Sequence, residues 1–124
     1  MKKVILLFVS LLISFPEANT AKEDVSTVLI TGSNRNIGLE FVKQFSEKGW
    51  RVIATSRSLD SADELIEYSS VHENVIVEQL DITNDDHLQF LQKKYENEAI
   101  DILLNNAGYT PRYFSSFRGI MGVD

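Results

Sequence analysis

The sequence contains no cysteine and only two histidines, His72 and His87. Without cysteine the chain can form no disulfide, no thiolate metal site and no cysteine nucleophile. Neither histidine is accompanied by the partner pattern that a metal site requires, so we predict no metal and interpret both as surface residues. The chain also lacks clusters of lysine and arginine and carries a net charge of −6, which argues against non-specific nucleic-acid binding.

Long apolar runs are scarce as well, and the most apolar one lies at the N-terminus. Residues 4–15 follow two lysines and are interrupted only by two serines. This run is too short to span a bilayer comfortably, and the layout is that of a secretory signal peptide. We therefore predict a signal peptide over residues 1–21 and an exported or membrane-associated protein, or otherwise a cytoplasmic one. An uncleaved anchor is the alternative, because neither Ala18 nor Ala21 has a small residue two places before it.

The remaining sequence has the composition of an ordinary globular domain, with 44% hydrophobic and 24% charged residues. A chain of 124 residues has room for one domain at most, and we place that domain at residues 22–124. Within it, strand and helix patterns alternate. We predict strands at 25–31, 51–55, 75–80 and 100–104, and helices at 37–48, 60–69 and 83–97.

The strand runs are apolar without strict alternation, which is typical of a parallel sheet covered on both faces. Parallel strands need crossover helices, and these crossovers are right-handed. The predicted fold class is therefore α/β, a partial Rossmann-type doubly wound parallel sheet of about four strands in the order 3-2-1-4. In such sheets ligands bind beyond the carboxyl ends of the strands, so the loops after all four strands should meet at one edge.

Local signals give further expectations for the helices. Lys48-Gly49 predicts a left-handed C-terminal cap, and Thr83 with Asp86 resembles a capping box in which Thr83 is the N-cap. In the first helix, Ile37, Phe41, Val42 and Phe45 recur at helical spacing, and in the third we predict a buried stripe of Leu88, Leu91 and Tyr95.

The stretch from Val28 to Phe45 reads as a buried strand, a tight turn and a helix that begins at the mouth of the turn. The unpaired N–H groups of the first helical turn and the helix dipole suit an anion such as a dinucleotide pyrophosphate. Gly32 and Gly38 fall where a phosphate and a packed helix need bare backbone. An ordinary strand–loop–helix connection is the alternative on this stretch alone.

Three motifs together resemble the short-chain dehydrogenase/reductase family, over residues 25–108. Thr31-Gly32-Ser33-Asn34-Arg35-Asn36-Ile37-Gly38 is similar to the family's T-G-x-x-x-G-x-G turn. Asp81-Ile82-Thr83 resembles its adenine-contacting D-[VIL]-T, and residues 101–108, ending in Asn105-Asn106-Ala107-Gly108, resemble its D-x-L-[VIL]-N-N-A-G. The resemblance implies an NAD(P)(H)-dependent oxidoreductase with a dinucleotide cofactor, a small carbonyl or alcohol substrate and, at full length, a homo-oligomer.

The resemblance also implies a set of cofactor-binding residues: Gly32, Ser33, Asn34, Arg35, Asn36, Ile37, Gly38, Arg57, Asp81, Ile82, Asn105, Ala107 and Gly108. Asparagine side chains of the last motif can bridge neighbouring strand ends, whereas a plain polar turn is the alternative interpretation. Asn36 replaces the family's middle glycine. Apart from glycine, asparagine tolerates left-handed backbone best, so we expect cofactor binding to survive.

Charge favours NADP(H) over NAD(H) as the cofactor. Arg57 follows the second strand, and no carboxylate occurs there until Asp60. NAD-preferring members place an acidic residue at that strand end, whereas Arg57 and Arg35 could pair with a 2′-phosphate. Two solvated surface arginines are the alternative.

The family's catalytic Tyr-x-x-x-Lys pair and its upstream serine have no match. The last lysine is Lys94, and Ser115 and Ser116 follow the N-N-A-G loop too closely. We therefore predict no catalytic residue, and we expect a C-terminally truncated sequence without reductase activity of its own. The alternative is a non-catalytic nucleotide-binding module or pseudo-enzyme that ends near Asp124.

Overall fold

A computed structural model describes residues 24–108 of the chain. The elements are β1 (Thr27–Ile30), α1 (Asn36–Glu47), β2 (Arg51–Ser56), a 3-10 turn (Leu59–Ser61), α2 (Asp63–Ser70), β3 (Val75–Gln79), α3 (Asp85–Tyr95) and β4 (Ile102–Leu104). The predicted signal peptide at 1–21 and the serines at 115 and 116 lie outside the described residues.

The four strands form one parallel sheet in the order β3-β2-β1-β4. Leu29 of β1 lies opposite Ile53 of β2 and Leu103 of β4. The predicted order is thereby confirmed, and with it the Rossmann-like α/β class. The chain crosses from β3 on one edge to β4 on the other, so the order reverses beside β1.

Side chains that alternate along the strands build a core on each face of the sheet. On one face, α1 and α2 pack against the sheet through a cluster that contains Val28, Ile30, Leu39, Val42 and Leu65. On the other face, Leu91 and Tyr95 of α3 join a smaller cluster with Leu29, Ile53 and Leu80. Within residues 24–108, no helix is long and apolar enough to cross a membrane.

Helix α1 ends as predicted but begins differently. Gly49 has a φ of 80°, its N–H donates to the Ser46 carbonyl at 2.9 Å, and the Trp50 N–H donates to the Phe45 carbonyl at 3.1 Å. These two bonds form a Schellman cap. At the other end, Ile37 is 66% exposed and is not part of the core. It lies in the first helical turn, where it lines a cavity instead of packing on the sheet.

Helix α3 is capped by Asn84 and not by Thr83. The Asn84 Oδ1 accepts hydrogen bonds from the N–H groups of Asp86 and His87, at 3.0 and 3.2 Å. The Thr83 hydroxyl instead donates to Asp81 Oδ1 at 2.7 Å. The predicted buried stripe is correspondingly shorter, because Leu88 is 41% exposed while Leu91 and Tyr95 are buried.

A buried polar contact fastens α3 to β3. The Tyr95 hydroxyl donates to Glu78 Oε1 at 2.6 Å, and the Lys94 ammonium pairs with the same carboxylate. Burial, and then the hydrogen bond to Glu78, raises the pKa of Tyr95 above its ordinary range. Tyr95 therefore remains a donor to Glu78 throughout the neutral pH range.

Candidate functional site

A cavity of about 640 Å³ lies at the carboxyl edge of the sheet, where the loops after all four strands meet. This volume is typical of small-molecule and cofactor sites. The structure brings together eleven of the predicted residues in its lining: Gly32, Asn34, Arg35, Asn36, Ile37, Gly38, Arg57, Asp81, Ile82, Ala107 and Gly108. Ser33 and Asn105 are not among the lining residues, whereas Ser56, Ser58, Ser61, Leu80, Thr83 and Asn106 line the cavity without having been predicted.

The turn between β1 and α1 uses left-handed backbone at two positions. Gly32 has a φ of 68° and Asn36 a φ of 49°. Asparagine is one of the few residues that adopt this region readily, because its short side chain makes local hydrogen bonds. The expectation that Asn36 accommodates such a backbone is thereby confirmed.

Gly38 and Gly32 are needed because the turn packs against itself and against the loop after β4. A Cβ on Gly38 would lie 2.0 Å from the Gly32 carbonyl oxygen and 2.7 Å from Asn106 Nδ2. A Cβ on Gly32 would lie 2.9 Å from the Ala107 Cα. Real Cβ atoms essentially never approach other heavy atoms this closely. The bare backbone predicted at both positions is therefore already required by the turn's own packing.

Ser33 supports the turn from inside the protein. It is fully buried, its N–H donates to the Thr55 carbonyl at 2.7 Å, and its hydroxyl donates to the Ile30 carbonyl at 2.8 Å. Both of its donors are therefore used within the protein, which ties the turn to β1 and β2.

Asn106, not Asn105, bridges the neighbouring strand ends. Its Nδ2 donates to the carbonyl oxygens of Gly32 and Thr31 at 2.9 and 3.2 Å, while Asn105 is exposed. The strand β4 ends at Leu104, and the Asn106 N–H donates to the Leu104 carbonyl at 3.0 Å. Strand alternation therefore does not extend to the two asparagines, and no signal in the sequence distinguished Asn106 from Asn105.

Asp81 is held in position by its neighbours. The hydroxyl and the N–H of Thr83 donate to Asp81 Oδ1 at 2.7 and 2.9 Å. These two bonds, the hydroxyl first, lower the pKa of Asp81, and the charge of Arg57 acts in the same direction. The Asp81 N–H in turn donates to His87 Nδ1 at 3.1 Å. The carboxylate is therefore ionised at neutral pH and fixed at the cavity wall.

Two arginines and one carboxylate supply the formal charges among the lining residues, namely Arg35, Arg57 and Asp81. Arg57 lies just beyond β2, and its carbonyl accepts a hydrogen bond from the Gln79 side chain at 3.2 Å. Over residues 24–108, the structure has no group of three His, Asp or Glu side chains that could hold a metal ion. The cavity wall is thus suited to an anionic ligand.

Comparison with known families agrees with this geometry. The family model of short chain dehydrogenases matches residues 26–118. The chain belongs to the short-chain dehydrogenase/reductase family. An uncharacterized oxidoreductase of Staphylococcus saprophyticus is 35% identical over 98 residues, which cover 77% of this chain and 39% of that protein. The chain thus spans about two fifths of the length of this curated relative.

Solved structures of short-chain dehydrogenase/reductase proteins share the fold. Salutaridine reductase from Papaver somniferum matches with a TM-score of 0.61 and 32% identity, covering 80% of this chain and 37% of that one. A short-chain dehydrogenase/reductase from Burkholderia multivorans with bound NADP matches with a TM-score of 0.59 and 29% identity, covering 69% of this chain and 38% of that one.

Proposed function

We propose that this chain binds NADP(H) in preference to NAD(H), as the dinucleotide-binding part of an oxidoreductase that interconverts a carbonyl and an alcohol. The observation that carries the proposal is the cavity at the glycine turn, with Arg35 and Arg57 both in its wall. When bound, the nicotinamide group supplies or accepts the hydride. The residues of this chain bind and orient the cofactor.

The N-terminus of α1 is suited to the pyrophosphate. Arg35, the N-cap residue, makes no side-chain capping bond, and the first turn contains no acidic residue. The first N–H groups of an α-helix have no partner within the helix, and the helix dipole adds partial positive charge there. Gly38, in the same turn of the helix, also lines the cavity. An anionic diphosphate at this position would satisfy the N–H groups.

Asp81 is suited to the amino group of the adenine base. Its Oδ1 is occupied by Thr83, and no donor among the described residues 24–108 is bonded to Oδ2. An ionised carboxylate is purely an acceptor, so Oδ2 can receive an N–H from a bound base. The resemblance of Asp81-Ile82-Thr83 to the family motif supports this assignment.

The end of β2 and the loop after it support the preference for NADP(H). Ser56, Arg57 and Ser58 line the cavity there, and none of these three residues carries a carboxylate. Guanidinium groups form strong charge-assisted hydrogen bonds with phosphate, whereas a ribose diol is normally recognised by a carboxylate. The Burkholderia relative with bound NADP is consistent with this preference.

Replacing Arg57 by alanine should weaken NADPH binding about tenfold to a hundredfold, because a charge-assisted phosphate contact is lost. NADH has no 2′-phosphate, so its dissociation constant should change less than about twofold. Fluorescence titration of both cofactors measures this. The matched control is Arg51→Ala at the opposite end of β2, where the arginine pairs with Glu98 outside the cavity lining. Equal losses for NADPH and NADH in Arg57→Ala would contradict the 2′-phosphate role.

We further propose that the 124-residue chain binds cofactor without reducing carbonyl compounds. No lysine follows Lys94, so a Tyr-x-x-x-Lys pair is absent beyond the N-N-A-G loop. Incubation with NADPH and simple aldehydes or ketones should give no loss of absorbance from the reduced nicotinamide, even where titration detects binding. Measurable NADPH oxidation would contradict this.

The alternative, a non-catalytic module, predicts a genuine stop after codon 124, whereas an oxidoreductase gene would encode Tyr-x-x-x-Lys downstream.

A further inference from the structure

His87 contacts the backbone of the loop that carries Asp81. Its Nδ1 lies 3.1 Å from the Asp81 backbone nitrogen, which donates the hydrogen bond. A backbone N–H can only donate, so Nδ1 must be the acceptor and carry no proton. The geometry therefore assigns His87 as a neutral imidazole with its proton on Nε2.

Few other hydrogen bonds hold the loop between β3 and α3 in place. The Leu80 N–H donates to the Ser56 carbonyl at 2.9 Å, which ties the start of the loop to β2. The Asn84 N–H donates to the Asp81 carbonyl at 3.0 Å, and Asn84 caps α3. Among these contacts, the bond to His87 is the one that holds the Asp81 N–H against α3. The position of the Asp81 carboxylate thus depends on the third residue of that helix.

We propose that His87 is a positioning residue for dinucleotide binding, and that protonation of its ring releases the Asp81 loop and weakens binding. This inference rests on the proposed function, because it concerns the same cavity. Protonated His87 would carry an N–H at Nδ1, directed at the N–H of Asp81. Two donors cannot share a hydrogen bond, so the contact must break and the Asp81 N–H is no longer held against α3.

The charged groups around His87 act in opposite directions on its protonation. The carboxylates of Asp81, Asp85 and Asp86 favour the charged imidazole. The positive end of the α3 dipole disfavours it, as does Arg57, which lies close enough to act on Asp81. The binding-competent state contains the neutral ring, so protons and dinucleotide compete. Affinity should therefore be greatest with the neutral ring and should fall at lower pH if the ring takes up a proton.

NADH is the suitable probe, because the 2′-phosphate of NADPH would take up a proton in the same pH range. For the 124-residue chain, the dissociation constant for NADH should rise about threefold to tenfold between about pH 8 and about pH 5.5, as expected for the loss of one hydrogen bond. His87→Asn should bind NADH as at pH 8 at both pH values, because the amide oxygen can accept from Asp81 without titrating. His87→Ala should bind NADH at both pH values as weakly as the unaltered chain does at the lower pH.

The other histidine provides a matched control. His72 Nδ1 lies 2.8 Å from the Tyr68 carbonyl, so there the ring donates and the contact survives protonation. The His72→Asn chain should therefore keep the full pH dependence. Far-UV circular dichroism at both pH values confirms that each variant is folded when binding is measured.

Three results would overturn the inference: a pH-independent affinity in the unaltered chain, an undiminished pH dependence in His87→Asn, or loss of the dependence in His72→Asn. If the unaltered chain binds neither NADH nor NADPH at about pH 8, the proposed function fails and the inference fails with it. If the unaltered chain binds at about pH 8 and His87→Asn retains the full pH dependence, the inference alone is overturned.

Discussion

The Gly38→Ala chain is expected to lose at least about 3 kcal/mol of its free energy of unfolding, and with it the ability to bind a dinucleotide. The added Cβ would lie 2.0 Å from the Gly32 carbonyl oxygen. The backbone fixes the position of the added Cβ, and the Gly32 oxygen is itself a backbone atom. No side-chain rotation can therefore relieve the overlap. Either the turn opens or α1 moves away from β1, and each of these changes disrupts the floor of the cavity.

Two other glycines separate this steric effect from the loss of backbone freedom. At Gly49 a Cβ would meet nothing within 4 Å, but φ is 80°, so Gly49→Ala should cost about 1 kcal/mol. At Gly108 a Cβ also meets nothing within 4 Å, and Gly108→Ala should change stability by less than about 0.5 kcal/mol. Urea unfolding of the three variants measures the series. Equal losses at all three positions would refute the importance of the Gly38 contact.

Asn106→Ala is expected to destabilise the fold by about 2–3 kcal/mol, because two backbone carbonyls lose their donor at once. The Asn106 side chain donates hydrogen bonds to the carbonyl oxygens of both Thr31 and Gly32. Its removal therefore frees the loop after β4 from the glycine turn. Dinucleotide affinity should fall together with stability, since Gly32 and Ala107 line the same cavity. Urea unfolding and cofactor titration on the same preparation measure the two effects.

The adjacent asparagine is the natural comparison. Asn105 has the same side chain and is exposed, so Asn105→Ala should change the free energy of unfolding by less than about 0.5 kcal/mol. A larger loss for Asn105→Ala than for Asn106→Ala would mean that the loop sits on the glycine turn in the opposite register. The pair of variants therefore tests which asparagine of the N-N-A-G motif is hydrogen-bonded to the glycine turn.

The strand order was predictable because each strand is a short apolar run and each crossover contains a helix. Helix ends were less predictable. Thr83 and Asn84 are both good N-cap residues, and they are adjacent in the sequence. The structure uses Asn84 as the cap and directs the Thr83 hydroxyl to Asp81, and residue preference alone does not distinguish between the two. Gly49 was easier to predict, because a Schellman cap depends on nearby backbone alone.

The cavity residues that a particular backbone conformation requires were predictable from the sequence. Residues whose role depends on the direction of the side chain were less predictable. Gly32, Asn36 and Gly38 follow from a turn that requires bare or left-handed backbone. Ser33 differs, because its burial results from the approach of β2, which the motif does not encode. His87 was interpreted as a surface residue because its acceptor role depends on the position of the Asp81 N–H.

The hydrogen bonds between the Asn106 side chain and the glycine turn also constrain the order of folding. Its hydrogen bonds to Thr31 and Gly32 join residues 75 and 74 positions apart in the chain. Contacts of such high sequence separation form late, since the entropy of closing a long loop is lost before they contribute. While the chain is being synthesised, β1 and β2 can pair before β4 exists. The cavity is therefore complete only after residue 106 has been synthesised and its loop has docked on the glycine turn.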